Sequence, residues 1–374
     1  MVLPNVIQDQ QLDTASALES TVCNPALLRL QQSKNVLLLQ GPVGAFFDRL
    51  TVWLQQKGTQ VQRVAFHGGD VYDSRAVKPI VFNQADWPHF LAHLLEAHQI
   101  DLVVLFGQSR RNHKAAIDLC KSQDISVLVL EEGYFRPGYI TMELGGVNGF
   151  SDTLGKYTWR PASAAQGLKP DVSPRHFQKM AIQASLHYKA LWKARHEFNH
   201  YLHHRASQPS YYFTYWIRSW LRKLKHVRPC RKLQQRLIAA KATSPFYFVP
   251  LQHDGDAQIT HHSNFSDNAQ FVNRVILSFA KHAPVKSLLV FRQHPPVRGG
   301  PGHGELINGL AADLGIGHRV FHMVEGDTPD LAEHSAGVVL INSTVGLQAL
   351  ERGAPLMVLG EALYKQPTSP SRAS

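Results

Sequence analysis

The sequence predicts an α/β protein built as two Rossmann-like domains, and three observations lead there. Short apolar runs recur along the chain and each ends in a polar, glycine-containing loop. Between them lie stretches with apolar residues at helical spacing, as in Ala45 to Lys57 and Phe271 to Ala280. The pattern fills both halves of a 374-residue chain, long enough for two cores. An apolar run without alternation suits a strand covered on both faces of a parallel sheet.

Residues 1–33 are polar and without steady periodicity, and read as a loosely ordered extension. The first domain spans 34–240. Asn35 to Gln40 is its first strand, running into Gly41-Pro42-Val43-Gly44 and then the helix to Lys57. Gly41 and Gly44 are candidates for ligand contact, because glycine lets backbone approach a ligand and a helix N-terminus favours anions. A simple tight turn is the competing reading. Val61 to Phe66 leads into His67-Gly68-Gly69-Asp70, and Asp101 to Phe106 into the loop Gly107 to His113, with Trp87 to His98 helical between them. The fourth run, Ile125 to Leu130, stops at Glu131-Glu132-Gly133. Spacings of ~25–40 residues fit βαβ units, whose loops share the sheet edge where such folds bind ligands. Neither a dinucleotide fingerprint nor a P-loop appears. Gly145 to Pro174, rich in Gly, Ser, Pro and Ala, reads as a long connection.

The second domain spans 245–364. Its strands are Phe246 to Leu251, Ser287 to Phe291, Arg319 to His322, Gly337 to Ile341 and Pro355 to Leu359. Phe271 to Ala280, Leu331 to Ala336 and a stretch through Leu350 are helical. A polar tail, 365–374, closes the chain.

The net charge of +11 is concentrated. From Lys189 to Lys232 there are eleven Lys and Arg against the single acid Glu197. This basic block, 189–232, is assigned to the first domain. Trp216, Trp220 and Leu224 can share one helix side, with Arg218, Arg222 and Lys225 close by. Such a helix suits a membrane interface, or else bridges domains with its aromatics in a core. No nucleic-acid-binding module accompanies the charge. The three cysteines are widely separated and match no metal or disulfide spacing, which fits a reducing compartment. There is no secretory signal, and no run approaches the ~18 apolar residues of a membrane span.

Two constellations in the second half suit a nucleotide phosphate. Pro295 restricts His294 to an extended conformation at a strand end, which fixes where the imidazole points. Asn342-Ser343-Thr344 precedes a helix, so hydroxyls and backbone N–H groups converge there on an anion. A surface turn and plain capping are the bland alternatives. No His/Cys cluster has zinc geometry; Asp254-Gly255-Asp256 alone has the spacing of a metal-binding D-x-D motif.

In chain order, Glu131-Glu132-Gly133, His294-Pro295 and Ser343-Thr344 resemble the motif set of bacterial sialyltransferases. More closely, the chain is similar to capsule polysaccharide biosynthesis and export proteins of the KpsS/LipB type, a bacterial β-Kdo transferase family. The phrases that carry the likeness include Leu38 to Gly44, Phe66 to Asp70, Glu131 to Pro137, Arg195 to Phe198, Pro250 to Gln252, Asp256 to Ile259 and Ile341 to Thr344. The resemblance implies a GT-B glycosyltransferase whose two domains face a central cleft. The first would hold acceptor and catalytic groups, the second CMP. It implies retaining transfer of Kdo from CMP-Kdo to a lysophosphatidylglycerol-type lipid, starting the poly-Kdo linker of a capsule.

On that reading Glu132 is the nucleophile or base, and Glu131 a weaker candidate. His294 is acid or charge stabiliser, and with Pro295, Asn342, Ser343, Thr344, Arg292, Gln252 and Asp256 it holds the CMP donor. Arg136, Arg218 and Arg222 join Gly41 and Gly44 for sugar or acceptor. No cofactor or metal is called for. The partners would be a CMP-sugar, an anionic phospholipid membrane surface and other capsule biosynthesis and export proteins, without nucleic acid. The location would be cytoplasmic, peripheral on the inner face of the inner membrane. Family chains continue past the equivalent of Tyr364 with a closing helix, so the polar tail here raises an expectation of reduced activity. Two alternatives stand beside this one: a transferase-like adaptor that binds lipid-linked glycan for export without catalysis, or a sialyltransferase-like enzyme using another CMP-sugar.

Overall fold

The computed structural model describes residues 24–133, 139–152, 174–201, 209–254, 259–260 and 262–365. Arg136, Asp256 and the tail beyond Lys365 lie outside them, as does most of the 145–174 connection. The described residues form two compact units, divided between Pro209 and Ser210.

The first unit is a six-stranded sheet of β1 (Asn35–Leu38), β2 (Gln60–Ala65), β3 (Ile80–Val81), β4 (Leu102–Phe106), β5 (Ser126–Glu132) and β6 (Ile140–Leu144). Their order is β3-β2-β1-β4-β5-β6, and all pairs are parallel except β5 with β6. The central strands β1 and β4 are apolar runs buried on both faces, as parallel pairing between helical layers requires. Side chains alternate: Leu37, Val103, Val127 and Val129 pack with α4 (Trp87–Ala97) and α5 (Arg111–Ser122). Val36, Leu38, Val104, Leu128 and Leu130 face α2 (Phe46–Gln56) and α1 (Pro25–Gln32).

Two features of the first unit depart from the sequence reading. The final part of the expected extension is α1, capped by the Asn24 side chain, which accepts from the Ala26 N–H at 2.9 Å. Ala26 and Leu30 enter the core, and Arg29 donates to the Asp101 carbonyl at 2.7 Å and to Ser126 Oγ at 3.1 Å. Two buried side chains in eight residues leave too faint a period to read in advance. The second departure is β5, which runs through both glutamates because antiparallel β6 supplies partners, Glu131 opposite Thr141 and Glu132 opposite Ile140.

The His67-Gly68-Gly69-Asp70 turn opens α3 (Gly68–Tyr72), on which α6 (Pro174–Lys193) packs directly. A Cβ on Gly68 would lie 2.6 Å from the Ala190 carbonyl oxygen, and one on Gly69 2.6 Å from the His187 ring. Both glycines are therefore demanded by helix approach. His113, at the start of α5, bridges the loops after β1 and β4. Its Nδ1–H donates to the Gly107 carbonyl at 2.7 Å, and its Nε2 accepts from the Gln40 N–H at 3.2 Å. Burial, with Arg110 nearby, pushes this imidazole down to about 3.

The second unit has five parallel strands, β7 (Phe246–Pro250), β8 (Leu288–Arg292), β9 (Val320–Met323), β10 (Gly337–Leu340) and β11 (Leu356–Val358), in the order β11-β10-β7-β8-β9. Helices α8 (Asn268–His282) and α9 (Gly304–Asp313) cover one face; α10 (Thr328–His334) and α11 (Val345–Glu351) complete the βα series. At the start of α8, Asp267 Oδ1 accepts from the Gln270 N–H at 2.8 Å while Gln270 Oε1 accepts from the Ser266 N–H at 2.9 Å. The basic helix α7 (Pro209–Ala239) belongs almost wholly to this unit, whereas the sequence reading placed it in the first. Gln234 explains the assignment: it accepts from the Asp327 N–H at 2.9 Å and donates to Asp330 Oδ2 at 2.5 Å.

Gly68→Ala should lower stability by about 1–3 kcal/mol through overpacking, measured as a fall in the urea midpoint. Gly309→Ala, where nothing lies within 4 Å of the added methyl, should instead raise it by about 0.5–1 kcal/mol. His113 sets a pH dependence. Its folded value lies below its ordinary one, so between about pH 6.5 and 3 the unfolded chain binds more protons and stability falls with acid. From pH 7 to 5 this one group should remove about 2 kcal/mol, and the slope of urea midpoint against pH should flatten in His113→Gln.

Candidate functional site

In the second unit the polar residues gather where β7 and β10 lie side by side and the strand order reverses. Loops that part at such a switch point leave peptide groups without ladder partners, and the crevice between them is where open α/β sheets hold ligands. Here the opening is framed by Gln252 and Asn342, both buried. Gln252 Nε2 donates to Asn342 Oδ1 at 3.0 Å, and the Asn342 N–H donates to Gln252 Oε1 at 3.4 Å. Asn342 Nδ2 donates to the His262 carbonyl at 3.2 Å. The Gln252 carbonyl accepts from Asn268 Nδ2 at 2.9 Å, which also donates to Asp254 Oδ1 at 2.7 Å. These side chains hold the two loops together.

Ser343 and Thr344 come directly after Asn342. Ser343 Oγ accepts from the Val345 N–H at 3.3 Å, while the Thr344 side chain caps none of the helix N–H groups. Tyr364 closes over this turn: its hydroxyl donates to the Ser343 carbonyl, and its ring occupies the space a Cβ on Gly346 would need. One strand beyond β7, His294 follows β8 in extended backbone (φ −62°, ψ 131°), as the proline after it requires. Its ring stands edge-on to that of His253, 6.5 Å between centroids. Asn342, Gln252, His253 and His294 therefore form a continuous row across the sheet edge.

Arg292 ends β8 with its Nε–H donating to the Gly326 carbonyl at 3.0 Å. Burial lowers its pKa, and the nearby Glu325 opposes that shift. Arg222 of α7 donates to the carbonyls of Arg298 (3.1 Å) and Gly300, at the end of the turn after Pro295. Arg218, one helical turn earlier, is exposed. A group missed from sequence is half-buried His322, whose pKa is pushed down to about 4 by desolvation and by the neighbouring His303 and His226. Its only advance signal was a histidine at a strand end.

In the first unit the equivalent edge carries Gly41, Gly44, Glu131 and Glu132. A Cβ on Gly41 would press 2.8 Å from the Phe47 ring; Gly44 has φ +99° and its N–H donates to Asp73 Oδ2 at 2.9 Å. His187 Nδ1 reaches the same oxygen at 2.7 Å. Adjacent positions in a strand point to opposite faces, so the two glutamates do not form a pair. Glu132 is exposed on the face shared with Leu128, Leu130 and α2, and Glu131 is half-buried on the other. Gly133 donates to the Tyr139 carbonyl at 2.8 Å, and a Cβ there would come within 2.6 Å of Tyr139 backbone. The glycine lets the chain fold back directly beyond the acid.

Sequence reasoning also missed a buried cluster at this edge. Gln40 Nε2 lies 2.7 Å from His67 Nε2, 3.2 Å from Asp70 Oδ2 and 3.0 Å from the Tyr201 hydroxyl. Asp70 Oδ2 accepts from the Phe66 N–H at 2.9 Å. The only signal was the run of His67 and Asp70 around two glycines; Gln40 and Tyr201 come from distant parts of the chain.

Comparison with known proteins places the chain. The family model described as capsule polysaccharide biosynthesis protein matches residues 101–368. The capsule polysaccharide export protein KpsS of Escherichia coli is 36% identical over 347 residues, covering 91% of this chain and 88% of that protein. The capsule polysaccharide modification protein LipB of Neisseria meningitidis serogroup B is 35% identical over 349 residues, 90% of this chain and 83% of its own length. Among solved structures, the β-Kdo 2,7 transferase KpsC of Thermosulfurimonas dismutans aligns at 14% identity and a TM-score of 0.39, over 88% of this chain and 80% of that one. By the family model and by relatives spanning nine-tenths of its length, the chain belongs to the capsule polysaccharide biosynthesis protein family.

Proposed function

We propose that the protein is a retaining glycosyltransferase that moves Kdo from CMP-Kdo onto a lysophosphatidylglycerol-type lipid at the inner face of the inner membrane, founding the linker on which a capsule is built. The observation that carries the reading is the row Asn342, Gln252, His253 and His294 at the switch-point edge of the second sheet, in a member of a capsule biosynthesis family. That edge is where a nucleotide is held in such sheets. His294 stabilises the departing phosphate or gives it a proton, and Ser343 and Thr344 offer hydroxyls to the same oxygens. Arg292, Arg136 and Asp256 complete the donor and sugar contacts.

Glu132 is exposed at the sheet edge, on the face of β5 opposite to Glu131, which suits attack on the anomeric carbon. In the double-displacement route the bond between the Kdo anomeric carbon and the phosphate oxygen breaks and a bond to Glu132 forms, releasing CMP. The lipid hydroxyl then attacks that carbon, losing its proton, and the carboxylate departs. Two inversions give retention. On a direct route Glu132 would serve as base. The relatives' names divide between export and modification, and this sustains a second reading, an adaptor that binds lipid-linked glycan without chemistry.

The test is incubation of the full-length protein with CMP-Kdo generated in situ and lysophosphatidylglycerol, read by mass spectrometry of the lipid. A product one Kdo heavier than the acceptor is expected. Glu132→Gln should lower the rate at least ~10³-fold, with Glu131→Gln within about tenfold of wild type. CMP release without a glycosylated lipid would reduce the activity to hydrolysis. Binding of glycolipid with no turnover would establish the adaptor.

A further inference from the structure

Helix α7 divides into two halves. Beyond Pro229 it buries Cys230, Gln234 and Leu237 against its own unit. Before it, Ser219 is the one buried side chain among those described. Here Trp216, Ile217, Trp220, Leu221, Leu224 and Val227 are all exposed, the two tryptophans at 64% and 61%. Trp216, Trp220, Leu224 and Val227 fall at i, i+4, i+8 and i+11, with Ile217 and Leu221 beside them, so the six form one stripe about 17 Å long. The sequence left open whether these aromatics were core. They are not.

An apolar stripe of this size marks a surface that something covers. The charges beside it select the occupant. Pro209–Ala239 carries eight Lys and Arg and no acid, and Arg218, Lys225, Lys232 and Arg236 line up along a neighbouring side at i, i+7, i+14 and i+18. A second copy of the helix would set cations beside cations. Tryptophan at the polar–apolar boundary, leucine beneath and basic residues at the rim match an anionic bilayer surface, where each cation contributes about 1 kcal/mol. Among the described residues no helix is long and apolar enough to cross a membrane, so contact of this kind lies in the interface.

We propose that the Trp216–Val227 stripe seats in the interface of an anionic phospholipid bilayer with the helix axis along the surface. This deepens the lipid-acceptor reading, on which it rests, and gives it a location in the fold. Arg222 ties the same helix to the carbonyls of Arg298 and Gly300, so seating it brings the turn after His294 to the lipid surface.

The experiment is flotation of the full-length protein with phosphatidylcholine vesicles, with and without one-quarter phosphatidylglycerol, in the absence of donor and acceptor. Binding should need the anionic lipid and weaken as salt rises. The intrinsic tryptophan emission should shift to the blue on binding. Trp216→Ser/Trp220→Ser should lower the partition constant at least about tenfold, or ~1.4 kcal/mol, and abolish the shift while circular dichroism is unchanged. Lys225→Glu/Lys232→Glu should lose the preference for anionic vesicles. Equal binding of wild type and the tryptophan variant would overturn the proposal. So would sedimentation showing a dimer that the tryptophan substitutions dissociate. Because no sugar transfer is measured, vesicle binding stands or falls apart from the Kdo chemistry. A protein that binds vesicles but transfers nothing defeats the enzyme reading alone.

Discussion

Adjacent parallel strands whose loops leave for opposite faces of a sheet create a crevice lined with unpaired peptide groups, and the structure depends on how those groups are satisfied. Both sheets use side chains to do it. In the first, the His113 imidazole joins the Gly107 carbonyl to the Gln40 N–H. In the second, the Gln252 and Asn342 amides bond each other and the adjoining backbone. A buried amide or neutral imidazole offers a donor and an acceptor together, which a buried carboxylate or ammonium does not. Each is costly to remove, since truncation leaves its partner buried and unsatisfied at about 1–3 kcal/mol. The residues beside these anchors, Ser343 and Thr344 in one sheet and Gly41 in the other, are next in the chain to groups pinned in this way.

The same constraint changes how the acidic motif is understood. Two consecutive glutamates invite the idea of a carboxylate dyad sharing a proton. Strand geometry forbids it: paired with β6 up to its last residue, β5 must send Glu131 and Glu132 to opposite faces. One acid is exposed and the other is half-buried beside the helical layer of α4 and α5. The difference in their surroundings is set by the pleat before any chemistry is considered. Gly133 completes the arrangement by letting the Tyr139 backbone close against the strand immediately after the acid.

Much of this was legible in the sequence because parallel strands and their helices are local patterns. Apolar runs located β1, β4, β5, β8 and β10, and strand ends located His294 and Asn342. Pairing that depends on distant residues was not legible. Nothing near Glu131 says that Thr141 extends its strand, and nothing near Gln252 says that its amide meets a residue ninety positions later. The bond between Gln252 and Asn342, which ties the loops after β7 and β10 together, became visible only with both ends in place. The charge of α7 was plain from composition, but its allegiance to the second unit rests on Gln234 and Arg222 reaching loops that no periodicity reveals.

Helix α7 also poses an energetic question that its own contacts do not answer. Helices in proteins draw most of their stability from packing, yet the first half of α7 contributes one described buried side chain. Like charges recur three and four residues apart, at Arg218 and Arg222, Arg222 and Lys225, Lys225 and Arg228, and Arg228 and Lys232. Each such pair opposes the helix by about 0.2–0.5 kcal/mol in water. The stripe adds the cost of hydrated tryptophan and leucine. Both penalties have one origin, an aqueous surround. A negatively charged, partly apolar surface reverses the two at once, neutralising the row of cations while covering the stripe. A protein partner with a matching groove would have to supply acids and an apolar floor in the same register, whereas a bilayer supplies both along its whole extent.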